Sequence, residues 1–179
     1  KSPVYCDCRR IISFPKERKK LIDFGISKLK EKPKFKKISN IAGGESAGIP
    51  FAAFIAQKLN LPMTYIRKEK KKFGKNSQIE GLLSQKDNVL LAEDLMTDGG
   101  SKLKFLDAID KFGANISGMF VIFNYGIIKD YYLFKKKKID VISLTNWSNV
   151  LSVASRKKIL KYDEVKIVES FLEKMKVKS

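Results

Sequence analysis

Residues 89–101 read "VLLAEDLMTDGGS": four apolar residues, an acidic pair, two more apolar residues, then a turn with two glycines and a third carboxylate. The chain carries 37 Lys and Arg against 19 Asp and Glu, so a concentration of acids here calls for a chemical reason. A short run that is apolar on both faces reads as a buried parallel strand, and open parallel sheets take ligands beyond the carboxyl ends of their strands. Glu93 and Asp94 fall at such an end. Adjacent strand residues point to opposite faces, so both acids reach one ligand only if the strand is already turning. Gly99 and Gly100 let the backbone curl around an anion, and a helix starting near Ser101 adds the positive end of its dipole. Carboxylates for sugar hydroxyls or a magnesium shell, followed at once by a phosphate cradle, suit a ribose 5-phosphate. The plainer alternative is an acidic turn in which Thr97 or Ser101 merely caps the helix. An acidic pair joined to T-D-G-G-S favours the ligand.

The elements that must position these residues alternate. "KERKKLIDFGISKLKEK" (16–32) spaces Leu21, Ile22, Phe24, Ile26 and Leu29 as a helix that Pro33 ends, and "KKISNIAGG" is a strand running into paired glycines. "SAGIPFAAFIAQKLN" resumes helical spacing, "LPMTYIRK" and "NVLLAEDL" read as strands, and "SKLKFLDAIDKFG" is a helix closed by Gly113. "NISGMFVIFNYG" and "IDVISL" add strands, with helices at about 146–160 and 162–175. Such alternation predicts an α/β fold, a central mainly parallel sheet flanked by helices, because right-handed crossovers are nearly obligatory. No internal repeat or linker divides the chain, so residues 1–179 are expected to form a single domain.

Composition narrows the chemistry. The chain has no histidine, which removes Ser-His-Asp and Cys-His catalysis and leaves Lys, Asp, Glu, Tyr or solvent to handle protons. Cys6 and Cys8 are too few for a zinc site and too close for a comfortable disulfide, so reduced thiols and a cytoplasmic setting are expected. No window resembles a membrane span or a signal peptide. The net charge of +18 attracts polyanions, whether nucleic acid, a membrane face or a phosphorylated small molecule. Most lysine runs read as solvated surface.

"VLLAEDLMTDGGS" resembles the phosphoribosyl diphosphate signature of the type I phosphoribosyltransferases. Three further segments resemble the orotate phosphoribosyltransferases among them, in family order: "KSPVYCDCRRIISFP", the strand that covers the base; "NIAGGESAGIPFAAFIA", the pyrophosphate loop and its helix; and "RKEKKKFGKNSQIEG", the mobile catalytic loop. The resemblance implies transfer of ribose 5-phosphate from 5-phosphoribosyl 1-diphosphate to orotate, with Mg2+ as cofactor. It implies a homodimer whose basic loop acts across the interface, and no nucleic-acid or membrane partner. By position, Arg67, Lys68, Lys71, Glu93, Asp94, Leu95, Met96, Thr97, Asp98, Gly99, Gly100 and Ser101 would bind the sugar diphosphate. Lys68, Lys71 and Asp94 would be catalytic, and Gly43, Gly44, Glu45 and Ser46 would form the pyrophosphate loop. Tyr5, Cys6 and Thr97 would line orotate, Tyr5 by stacking. No residue is assigned as a direct metal ligand; magnesium would be held by the sugar diphosphate and water, with Glu93 and Asp94 nearby.

The chain departs from the family pattern in places. Phe73 stands where the loop commonly has histidine, Ala47 where a lysine is frequent, and "VIFNYGIIKD" lacks the arginine that pairs with the orotate carboxylate. A lysine and part of the N-terminal hood are expected upstream of Lys1. Alone, "RKEKKKFGK" could be a solvated loop or a nucleic-acid patch, but lysines on a closing loop suit the charge that builds on departing pyrophosphate. Two alternatives stay open: a phosphoribosyltransferase for a purine or uracil, and a nucleic-acid-binding regulator on the same fold. Trp147, Tyr131 and Tyr132 are given no role.

Overall fold

The computed structural model describes residues 4–69, 78–97, 99–126, 132 and 134–177. In chain order it contains α1 (Pro15–Lys30), β1 (Asn40–Gly44), α2 (Gly48–Leu59), β2 (Met63–Ile66) and β3 (Ile79–Glu80). There follow β4 (Asn88–Met96), α3 (Gly100–Phe112), β5 (Asn115–Asn124), β6 (Val141–Asn146), α4 (Trp147–Arg156) and α5 (Tyr162–Val177). The strands form one sheet in the order β3-β2-β1-β4-β5-β6. Every neighbouring pair is parallel except β2 with β3, which the sequence reading did not foresee.

The period-two alternation of β4 builds two apolar layers. Leu90 and Ala92 pack with α1 and α2 through Ile22, Ile26, Leu29, Phe51 and Ile55. Val89 and Leu91 pack on the opposite face with Phe105, Leu106 and Ile109 of α3. Because both faces of β4 are covered, its sequence is an unbroken apolar run rather than an alternating one.

In α1 the buried stripe is Ile22, Gly25, Ile26 and Leu29, which share one side at i, i+4 and i+7 spacing. Phe24, expected on that apolar side, lies off the stripe and is 56% exposed. Gly25 is where α1 meets the sheet most closely, since a Cβ there would stand 2.7 Å from Cζ of Phe120. The helix stops at Lys30, and Pro33 opens a separate 3₁₀ turn, Pro33–Lys37. α3 ends at Gly113, whose φ of 94° only glycine adopts without strain.

The N-terminal segment corrects an expectation. Instead of a strand over the base site there is a 3₁₀ turn at Cys8–Ser13. The cause is local: the Cys8 N–H closes a tight turn onto the Cys6 carbonyl at 3.0 Å, and the Cys6 N–H is taken by a tyrosine hydroxyl rather than by a neighbouring strand. Among the described residues, no helix is long and apolar enough to cross a membrane.

Phe120 is 1% exposed and fills the gap that Gly25 leaves, so Phe120→Ala should destabilise the fold by about 3–5 kcal/mol. The change reads out as a lower urea midpoint with an unchanged m-value. A midpoint equal to that of the parent would contradict this packing.

Candidate functional site

Parallel pairing brings the carboxyl ends of β1, β2, β4 and β5 to one edge, where β1, β2 and β4 deliver the described sequence-predicted residues at their ends. β1 delivers Gly43 and Gly44, with Gly43 paired to Tyr65 on one side and Ala92 on the other. The turn through Glu45 and Ser46, whose peptide is cis, leads into α2. Side chains are excluded along this path by contact. A Cβ on Gly43 would lie 2.8 Å from the Gly48 carbonyl oxygen, and one on Gly44 would run into Glu93 Oε1 and the Phe105 ring. Glu45 fixes the turn twice, its N–H donating to the Ile66 carbonyl and its Oε2 accepting the Lys68 N–H, both at 2.8 Å.

β4 does not turn at its acids. Its pairing with β5 continues to Met96 opposite Asn124, so Glu93 and Asp94 point to opposite faces. Glu93 lies on the α3 side, 2% exposed, with Oε2 3.0 Å from Lys102 Nζ. Its Oε1 is buried without a hydrogen-bond partner, with a weakly helpful Gly44 amide nearby. Burial pushes the carboxyl up to about 7, Lys102 pulls against that shift, and Asp94 adds to it. Asp94, 5% exposed, faces the N-terminal segment, where its charge is felt by Cys6, Cys8 and Arg9. Leu95 packs in the layer of α1 and α2, and Met96 is buried under α3.

Beyond β4, Thr97 is half-buried and Gly99 takes φ 68° as the residue before α3. The residue at the N-cap is Gly99, which has no side chain to cap with, rather than Thr97 or Ser101 of the plain capping alternative. Gly100 and Ser101 open the helix, whose first-turn amides and dipole favour an anion. Asp98 lies outside the described residues.

The N-terminal segment covers Asp94 and is pinned to the end of β5. The Cys6 N–H donates to Tyr125 Oη at 3.2 Å. Tyr125 is held by edge-to-face contacts with Phe123 at 5.5 Å and Trp147 at 5.6 Å, which gives both rings a packing role. Cys6 and Cys8 are free thiols whose sulfurs lie 3.7 Å apart. The contact with Cys8 draws the Cys6 thiol below its ordinary value, and the same contact with burial pushes Cys8 up. Tyr5 is half exposed, and its hydroxyl accepts a 2.6 Å hydrogen bond from Arg9 Nη2.

The basic segment has its described ends locked together. Arg67 N–H donates to the Gln78 carbonyl at 2.9 Å, and Gln78 Nε2 donates back to the Arg67 carbonyl at 3.0 Å. The antiparallel pairing of Tyr65 with Glu80 and Ile66 with Ile79 explains why both ends sit at the carboxyl edge of β2. Lys68 follows directly from that edge through its bond to Glu45. Lys71 and Phe73 lie outside the described residues.

Sequence reasoning passed over Lys102, Gly48 and Tyr125. Lys102 had a legible signal: a lysine in the first turn sits at the positive end of the helix dipole, an unfavourable place unless an anion faces it. For magnesium, the donors fit a substrate-borne ion better than a resident one. Glu93 is already paired with Lys102, and among the described residues no group of three or more His, Cys, Asp or Glu is placed to hold a metal.

Comparison with known proteins agrees with this geometry. Residues 15–155 match the phosphoribosyl transferase domain family. Orotate phosphoribosyltransferase of Dinoroseobacter shibae is 45% identical over 172 residues, covering 96% of this chain and 76% of that protein. The crystal structure of orotate phosphoribosyltransferase from Aeropyrum pernix superposes with a TM-score of 0.76 at 25% identity, covering 86% of this chain and 85% of that one. The structure of Leishmania donovani UMP synthase shares the fold with a TM-score of 0.83 at 21% identity, over 97% of this chain and 36% of that one. The sheet order, the acidic strand and the glycine turn thus define a type I phosphoribosyltransferase fold. The chain belongs to the phosphoribosyltransferase family and, within it, to the orotate phosphoribosyltransferases.

The Glu93–Lys102 pair generates a pH-dependent prediction. A carboxyl raised from 4.5 to about 7 in the fold contributes stability fully below 4.5, and that contribution is lost as pH rises through 7. Lys102→Ala removes the cation that holds the value down, so the folded carboxyl rises further. The variant should therefore lose more stability at pH 8, where its parent has an intact ion pair, than at pH 5.5, where Glu93 is protonated in both. Breaking a buried pair typically costs about 3–5 kcal/mol. Denaturant midpoints at the two pH values check this, and equal losses at both would contradict it.

Proposed function

We propose that this chain catalyses transfer of ribose 5-phosphate from 5-phosphoribosyl 1-diphosphate to orotate, giving orotidine 5-phosphate and pyrophosphate for pyrimidine synthesis. The observation that carries the reading is that one strand end turns Asp94 toward the segment bearing Tyr5 and Cys6 and runs on into the Gly99 turn at the start of α3. A sugar phosphate seated on the turn places its pentose at Asp94 and its C1 toward that segment.

Residue roles follow from position. Gly99, Gly100 and Ser101, with Thr97 and Asp98, receive the 5-phosphate; Asp94 accepts a ribose hydroxyl hydrogen bond. Glu93 is the buried counterpart, tied to Lys102, that keeps the strand end charged and in register. The path through Gly43, Gly44, Glu45 and Ser46 is free of obstructing side chains, which suits a diphosphate approaching backbone amides. Magnesium enters with the substrate, as the counter-ion of its diphosphate oxygens.

The orotate nitrogen forms a bond to C1 as the C1–O bond breaks, the electron pair leaves with pyrophosphate, and the proton of that nitrogen passes to solvent or to the departing pyrophosphate. Positive charge builds on the sugar ring and negative charge on the leaving group, so positioning and electrostatics carry the reaction and no histidine is needed. Arg67, Lys68 and Lys71 supply cations to the leaving group. In this reading the chain is one domain working as a homodimer, with the basic segment reaching the partner's site, in the cytoplasm, where both substrates are water-soluble anions.

Incubating the protein with orotate, Mg2+ and the sugar diphosphate should consume orotate absorbance and release pyrophosphate, whereas adenine or uracil in its place should not react. Asp94→Asn should lower kcat/KM by roughly 10² while leaving the thermal midpoint nearly unchanged. Lys71→Ala should lower kcat with little effect on binding of the sugar diphosphate. Parent-like turnover in Asp94→Asn would remove that residue from the mechanism.

A further inference from the structure

The base in the proposed reaction carries a carboxylate, and it must settle beneath the N-terminal segment close to Asp94. Two anions so near each other repel unless a cation stands between or beside them. Among the described residues, the strand exit that forms the neighbouring wall consists of Tyr125 and Gly126, neither of which carries charge. Arg67 turns toward Glu80, with Nη1 3.9 Å from Oε1, and Lys68 leaves the sheet from the β2 side. Among the described residues, the cation that shares the neighbourhood of Tyr5, Cys6 and Asp94 is Arg9.

Arg9 is aimed rather than loose. Its Nη2 donates to Tyr5 Oη at 2.6 Å, and its Nε lies 3.9 Å from Asp7 Oδ1. The backbone beneath it is fixed on both sides: Cys8 is buried in the layer between sheet and helices, and the Cys6 N–H is bound to Tyr125. A guanidinium has five N–H groups in a planar fork, and a single short bond to a phenol leaves an edge able to take a carboxylate through two parallel hydrogen bonds. With 56% of its side chain exposed, that edge is open to an incoming anion. Its partner Tyr5 presents a half-exposed ring, so one hydrogen bond sets both a flat surface for a planar base and a cation at its rim.

We propose that Arg9 is a specificity-determining residue that receives the carboxylate of the base, with Tyr5 holding its guanidinium in place. The proposal rests on the orotate reading above and deepens it. It also brings a cation to a base site whose described strand exit, Tyr125 and Gly126, carries none.

Steady-state kinetics on the full chain test it. Arg9→Gln should raise KM for orotate about ten- to a hundredfold, the range expected for loss of a charge-assisted pair, while KM for the sugar diphosphate stays within about twofold. Arg9→Lys, which keeps the charge but not the fork, should restore part of the loss. Tyr5→Phe, which frees the guanidinium, should fall between parent and Arg9→Gln. A merely structural role would move both KM values together and gain nothing from lysine. If the parent converts orotate and Arg9→Gln keeps the parental KM, or raises both KM values equally, the Arg9 proposal fails alone. If the parent converts no orotate, the functional reading fails and takes this proposal with it.

Discussion

The approach of β1 to the acidic strand is the constraint on which the site depends. Gly44 and Gly48 leave, by having no side chains, the space that the Glu93 carboxylate occupies, and Lys102 reaches into that space from the start of α3. A buried carboxylate without compensation would be expelled or neutralised. Here the compensation also joins three elements: β1 with its glycine turn, β4 with its acids, and the first turn of α3. The same pair lies between the glycine turn after β4 and the glycines at the end of β1, the two places proposed to receive phosphates. Burial raises the Glu93 carboxyl to about 7 and leaves Oε1 without a hydrogen-bond partner, a combination common where side chains serve a site.

Charge is distributed to match. The chain is strongly basic overall, and its acids at the strand end are buried, so an arriving phosphate meets lysines and helix amides before it meets Asp94. The field of the whole molecule then favours polyphosphorylated substrates, while Asp94 is the acid proposed to act at short range on a sugar hydroxyl. The covering segment closes the arrangement. Cys8 anchors it in the core, Tyr125 pins it to the sheet, and Arg9 is tied to Tyr5 by a hydrogen bond within it.

Much of this was legible in the sequence because it is written in local patterns. The run around Leu90 and Leu91 announces a strand covered on both faces, Gly113 announces a helix end, and the paired glycines after the acids announce the turn from that strand into the next helix. What was not legible depends on partners distant in the chain. The two-residue β3 has no periodicity of its own and exists because Ile66 and Ile79 meet across the basic segment. The 3₁₀ turn at Cys8–Ser13 reads as a strand by composition, yet its donors find Cys6 and Tyr125 rather than a neighbouring strand. The opposed directions of Glu93 and Asp94 follow from a ladder that continues to Met96, which the length of an apolar run does not reveal. Lys102 and Arg9 look like two more cations in a lysine-rich chain until the fold shows what each one faces.

The central claim is that one strand end, its glycine turn and the segment above it form a single receptacle for a phosphorylated pentose. The most direct measurement is a difference map from a crystal soaked with 5-phosphoribosyl 1-diphosphate and magnesium. The account requires density for the 5-phosphate against the amides of Gly99 to Ser101, with the pentose beside Asp94 and the diphosphate toward Gly43 and Gly44. Density for the ligand at any other surface, with those amides facing only solvent, would contradict it.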